Sequence, residues 1–158
     1  MQLDHHQIAN QQPSREISIF CDGVNSPENI GLIVRLADAF GAKDVHFFEL
    51  EEIPKNARKI GRSCFDWINV VCHPDKLDLK QFPAAHFVAL EYSSKSIPLA
   101  ELSSSSDPIG IVIGNEKHGI GEDTLSSIEH HVHIPMFGKN TSINVGTALA
   151  IALYHFQA

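Results

Sequence analysis

The chain has 158 residues, 12 Lys and Arg against 19 Asp and Glu, and a formal charge of −7. With 43% apolar and 20% charged residues it is neither disordered nor fibrous, and its length suits one domain. Such a domain buries roughly 70% of the surface its unfolded chain exposes, so it needs no disulfide or metal staple.

No apolar run approaches the ~18 residues of a membrane helix. The first sixteen residues, MQLDHHQIANQQPSRE, have no apolar centre like that of a signal peptide. They read as a flexible polar arm ahead of a single domain over 17–158. Cys21, Cys64 and Cys72 are an odd number without a CxxC pair, which predicts reduced thiols and a cytoplasmic protein. The acidic balance argues against wholesale coating of nucleic acid but leaves room for a local basic patch.

In chain order, Ile17–Cys21 predicts a strand and Pro27–Phe40 a helix, with Ser26 as its cap and Gly41 as its stop. Ile30, Val34, Ala37 and Phe40 form that helix's apolar stripe. Val45–Glu49 predicts a strand, Asn56–Cys64 a short helix, and Trp67–Cys72 and His86–Glu91 two further strands. The serine-rich stretch Ser93–Asp107 reads as a connection with one short helical turn. Ile109–Ile113 predicts a strand ending in Gly114, Glu122–Glu129 a helix, His131–Ile134 a strand and Asn144–Phe156 the closing helix. Strands separated by helices predict an α/β fold with a mostly parallel sheet flanked by helices.

Three clusters carry polar groups where chemistry needs them. Asn29, Gly31 and Arg35 follow the first strand, on the side where α/β sheets bind ligands. Gly31 and Arg35 share a face distinct from the apolar stripe, which fits either a ligand contact or a solvated Arg. Gly114-Asn115-Glu116 through Gly121 follows a buried strand. It lacks the Lys-Ser/Thr of a P-loop and there is no GxGxxG, so the turn is either structural or binds a group without a phosphate cradle. Ile134–Val145 runs from a strand through a polar loop into the last helix. There Ser142 or Thr141 is a candidate cap, and Ser142 and Asn144 offer hydroxyl and amide groups.

In this order, N-x-G-x-x-x-R, G-N-E-x-x-G and I-P-M-x-G…S-I-N-V resemble the three motifs of the SPOUT class of RNA methyltransferases, in its SpoU (TrmH-like) branch. The resemblance spans about residues 17–156. It implies a C-terminal trefoil knot, a homodimer, and methyl transfer from S-adenosylmethionine to a ribose 2′-hydroxyl of tRNA or rRNA. By the same resemblance Asn29, Arg35, Glu116, Ser142 and Asn144 are catalytic-centre residues, with Arg35 nearest the hydroxyl. Leu90, Gly114, Ile134, Met136 and Ile143 line the cofactor pocket. In-line displacement requires an aligned oxygen and a stabilised alkoxide, a role that suits Arg35 as a charge better than as a base. Glu116 either holds Arg35 or takes the proton.

Lys55, Arg58, Lys59 and Arg62 at i, i+3, i+4 and i+7 predict a basic helix face, the expected RNA contact. Lys117, His118 and Lys139 flank the motifs. Ten histidines raise the question of metal, but no ligand set has a recognisable spacing, and none is expected. The closing helix is apolar nearly all round, so a second copy of the chain is the expected cover for the side carrying Leu153. Two alternatives remain: an inactive dimeric RNA-binding protein of the same fold, and an unrelated flavodoxin-like binding module.

Overall fold

The alternation of short apolar runs with amphipathic stretches folds as β1 (Ile17–Asp22), α1 (Pro27–Ala39), β2 (Asp44–Phe48), α2 (Lys55–Gly61), α3 (Cys64–Trp67) and β3 (Asn69–His73). There follow β4 (His86–Leu90), β5 (Ile97–Pro98), β6 (Ile109–Gly114), α4 (Glu122–Ser126), β7 (His130–His133) and α5 (Val145–Gln157). The computed structural model describes residues 11–82, 86–103 and 105–158. Among these the strands form one sheet in the order β3-β2-β1-β6-β4-β7-β5, with every pairing parallel.

Alternate residues of β1 point to opposite faces and divide the core in two. Ile17, Ile19 and Cys21 join an aliphatic core with Ile30, Ile33 and Val34 of α1 and Leu149, Leu153 and Phe156 of α5. Phe20 joins a second core with Phe48, Val112 and Ile128, capped by Phe82 and Leu125. Here Phe20 stacks on His46 at 5.0 Å, Phe48 stacks on His73 at 4.4 Å, and His46 Nδ1 lies 3.0 Å from His73 Nε2.

Ser26 caps α1 by accepting from the Asn29 N–H at 3.4 Å, and Gly41 ends it at φ +65°. Gly31 is a packing residue: a Cβ there would stand 2.6 Å from Ile60 Cβ and 2.8 Å from the Ala57 carbonyl oxygen. That contact is how α2 lies against α1.

Several expectations need correction. α2 ends at Gly61, and a separate helix takes Cys64–Trp67, so Trp67 is helical and not part of a strand. β5, two residues long and paired to β7, lies inside the serine-rich connection, which also holds the expected turn of helix at Leu99–Glu101. The cap of α5 is Asn144 and not Ser142 or Thr141: its Oδ1 accepts from the N–H groups of Gly146 and Thr147 at 2.9 and 3.2 Å. Leu153 does not face outward. It is 0% exposed in the chain's own core, and the outer side of α5 carries Ile151 and Tyr154.

Of the expected arm, residues 1–10, with His5 and His6, lie outside the described residues. From Ser14 the chain is tied down. The Ser14 N–H donates to Gln157 Oε1 at 2.8 Å, and the buried Arg15 guanidinium donates to the Asp107 carbonyl through Nε at 2.9 Å.

Candidate active site

The carboxyl ends of β1, β4, β6 and β7 point the same way because the sheet is parallel, and the loops leaving β4, β6 and β7 converge on one cleft of about 700 Å³. Leu90, Gly114, Ile134, Met136 and Ile143 all line it. So do Glu116, Ser142 and Asn144.

The turn after β6 is built on its own backbone. Asn115 and Gly119 exchange N–H···O bonds of 3.0 and 2.8 Å, and Gly119 takes φ +69°. A Cβ on Gly114 would stand 2.1 Å from the Gly119 carbonyl carbon, so only glycine fits there. Asn115 fixes the turn to β1 by donating from Nδ2 to the Gly23 carbonyl at 2.8 Å, while its Oδ1 accepts from the Lys117 and His118 N–H groups.

Three residues far apart in sequence make one hydrogen-bonded chain. Asn144 Nδ2 donates to Asn29 Oδ1 at 2.8 Å, and Asn29 Nδ2 donates to Glu116 Oε1. Asn29 is buried, so both ends of its amide need these partners. Since Asn144 Oδ1 caps α5, its orientation is fixed and only Nδ2 is left to face Asn29. Asn29 of the first motif thereby joins the second motif to the third.

The SpoU rRNA methylase family model matches residues 16–154. The chain belongs to that family. It is 27% identical to the tRNA (guanosine(18)-2′-O)-methyltransferase of Escherichia coli (strain K12), over 95% of this chain and 66% of that protein. It thus spans about two thirds of the length of that curated relative. The Aquifex aeolicus TrmH/SpoU tRNA modifying enzyme superimposes with a TM-score of 0.80 at 25% identity, covering 92% of this chain and 76% of that one. An AdoMet-bound rRNA methyltransferase from Sinorhizobium meliloti shares the fold, with a TM-score of 0.79 at 22% identity over 92% of this chain and 60% of that one.

In this SpoU-family chain Asn29 stands beside the cleft, in an adjoining pocket that Glu116 also lines, and Arg35 lies outside both. Arg35 is exposed on α1 and close enough to Cys64 to favour its thiolate, though burial and Asp38 leave that thiol above its ordinary value. Six positions from Asn29, it stands about 9 Å along the helix and about 120° around it, so one helix cannot aim both at one point. Ser142 lines the cleft outside the amide chain.

Lys55, Arg58, Lys59 and Arg62 are all exposed, and they differ in setting. The Arg58 guanidinium lies over the Phe65 ring, 5.3 Å from its centroid, and Arg62 leaves the helical face at φ +52°. Lys55 and Lys59 stay on α2, so the basic surface is broader and less regular than a single stripe.

Sequence reasoning missed Glu91, Tyr92 and His133, which also line the cleft. Tyr92 stacks on His133 at 4.2 Å, and Ser96 Oγ lies 2.9 Å from His133 Nδ1. The signal was present: both residues at 91 and 133 stand at carboxyl ends of strands, where such sheets bind ligands.

The lining fits adenosylmethionine. Leu90, Ile134 and Met136 offer apolar contact for a purine, and Glu91 and Glu116 offer carboxylates to a cationic, hydroxyl-bearing group. Among the described residues no three His, Cys, Asp or Glu side chains gather as a metal site, and no helix is long and apolar enough to cross a membrane.

Proposed function

We propose that the protein transfers a methyl group from S-adenosylmethionine to a ribose 2′-hydroxyl of tRNA or rRNA. The observation that carries this reading is the Glu116–Asn29–Asn144 chain, which joins all three motifs at one cleft. Bound adenosylmethionine supplies an electrophilic methyl on its sulfonium. Asn29 holds Glu116 through Oε1 and leaves Oε2 to take the hydroxyl proton as the oxygen attacks in line. Ser142 orients the ribose. Arg35, on α1 outside the cleft, meets the adjoining phosphate and holds the target nucleotide in place. Lys55, Arg58, Lys59 and Arg62 extend the positive track on α2.

We infer further that residues 17–158 act as one catalytic domain in the cytoplasm, that the segment from β7 into α5 is threaded as a trefoil knot, and that the protein is a homodimer. The dimer reading rests on Ile151 and Tyr154, 41% and 68% exposed on the outer side of α5. The test is incubation with methyl-labelled adenosylmethionine and bulk tRNA and rRNA, followed by mass mapping. Label on a ribose is the expected result; unlabelled RNA from a protein that binds adenosylhomocysteine overturns it. Arg35→Ala should lower the rate by about 10² and leave cofactor affinity intact. Its stability should change by no more than about 0.5 kcal/mol, since Arg35 is exposed.

A further inference from the structure

Glu91 stands directly after β4, the strand that lies between β6 and β7. β6 leads into the turn bearing Glu116, and β7 leads into Ile134 and Met136. The main chain at Glu91 is fixed by its N–H donating to the Val132 carbonyl at 2.9 Å. The side chain crosses to the turn after β6, where Oε2 accepts from the Ile120 N–H at 3.2 Å and Oε1 accepts from the Tyr92 N–H at 3.0 Å. Room for this comes from Gly119, where a Cβ would stand 2.5 Å from Oε2.

Among the described residues no Lys, Arg or His lies within ion-pair distance of this carboxylate, yet it is half-buried and lines the cleft. Each oxygen accepts one backbone N–H and keeps a second lone pair. Two neighbouring acceptors without a cation suit a ligand that presents two neighbouring O–H donors, which is what a vicinal diol does. The order of the strands sets where on the ligand that diol lies. Adenosylmethionine runs from purine through ribose to sulfonium. The cleft runs from the apolar residues after β7, past Glu91, to the Glu116 chain after β6. The ribose therefore falls at the middle strand. Acidic residues at strand ends bind ribose hydroxyls in the same way in dinucleotide folds.

We propose that Glu91 is the residue that recognises the cofactor's ribose hydroxyls, and that it clasps the Gly119–Ile120 turn over them. This rests on the reading that the cleft takes adenosylmethionine. The test is calorimetry with adenosylhomocysteine and its 2′-deoxy and 3′-deoxy analogues, on the wild-type protein and on Glu91→Gln. Wild-type protein should bind each deoxy analogue about ten- to hundredfold more weakly than the parent, the range for a hydrogen bond to a charged acceptor. In Glu91→Gln the parent should weaken by a similar factor and the gap between parent and analogues should close to within about threefold. A purely structural Glu91 would weaken all three ligands alike and leave the gap open, which overturns the proposal. So do deoxy analogues that match the parent on the wild-type protein, a result that needs no variant. Adenosylhomocysteine that fails to bind the wild-type protein at all refutes the cofactor reading itself, and the proposal with it.

Discussion

α1 and α5 are both 13 residues long and pack into the same aliphatic core, yet they turn different surfaces outward. α1 buries Ile30, Ile33, Val34 and Ala37 and shows Glu28 and Arg35. α5 buries Leu149, Ala152, Leu153 and Phe156 and shows Ile151 and Tyr154. A helix in a small domain has one inner face to satisfy, so its outer face is available for partners. The outer face of α1 carries charges of both signs and stands beside the basic α2; that of α5 suits another apolar surface.

The comparison breaks most visibly at α5. Leu153→Glu places a carboxylate where the side chain is 0% exposed, at a cost of several kcal/mol, and should unfold the protein. Ile151→Glu, two positions away on the outer face, should keep the fold and yield a monomer. Circular dichroism and sedimentation at micromolar concentration separate the two outcomes. A Leu153→Glu protein that stays folded would show that the inner and outer faces have been exchanged.

On α1 the corresponding test is Gly31→Ala. The added methyl meets Ile60 and the Ala57 carbonyl, so α2 must move away. Overpacking costs about 1–3 kcal/mol, reduced by the ~1 kcal/mol that Ala gains over Gly within a helix. Gly138→Ala meets nothing within 4 Å and should be silent in the same thermal melt.

Asn144→Ala links the two helices and should cost less stability, about 1 kcal/mol for a lost cap. Its effect on function should be the larger one, because Asn29 then loses the partner of its Oδ1. A melt shifted by a few degrees with activity reduced more than tenfold is the expected pair of results.

The legibility of the sequence follows the same division. α1 announced itself through spacing, its Ser26 cap and Gly41. The packing role of Gly31 did not, because spacing says which face a residue occupies and not what lies against it. α3 has four residues and no periodicity to read, so the aromatic Trp67 suggested a strand. β5 has two residues and sits at the sheet edge, where Pro98 is tolerated. The cleft residues were legible as motifs after strand ends, while the bonds joining them span 87 and 115 residues and leave no local pattern. Leu153 was misplaced because α5 is so apolar that its sequence does not distinguish the inner side from the outer.

The smallest effect is expected on the opposite face of the sheet, away from both helices. His46 and His73 share a hydrogen bond of 3.0 Å, which requires at least one neutral ring. Burial, and then His46, lower the pKa of His73, with Asp75 opposing them. Next to them burial alone would raise Asp44, but the approach of His46, whose Nε2 lies 3.5 Å from Oδ1, with Ser18 and the charge of Lys43 holds its carboxyl below the ordinary range. A histidine whose folded pKa is depressed binds fewer protons than the unfolded chain does, so stability rises with pH through that window. The contribution of His73 is complete above its unfolded value near 6.5 and is lost as pH falls below it, whereas that of Asp44 is lost only at far lower pH. Solvent screens His73, so the loss should stay below about 1 kcal/mol. His73→Phe keeps the stack on Phe48 and removes the titrating group. Melts of both proteins between pH 8 and pH 5 should show the wild type falling with acid and the variant falling less; parallel curves would mean that the pair does not set the acid dependence.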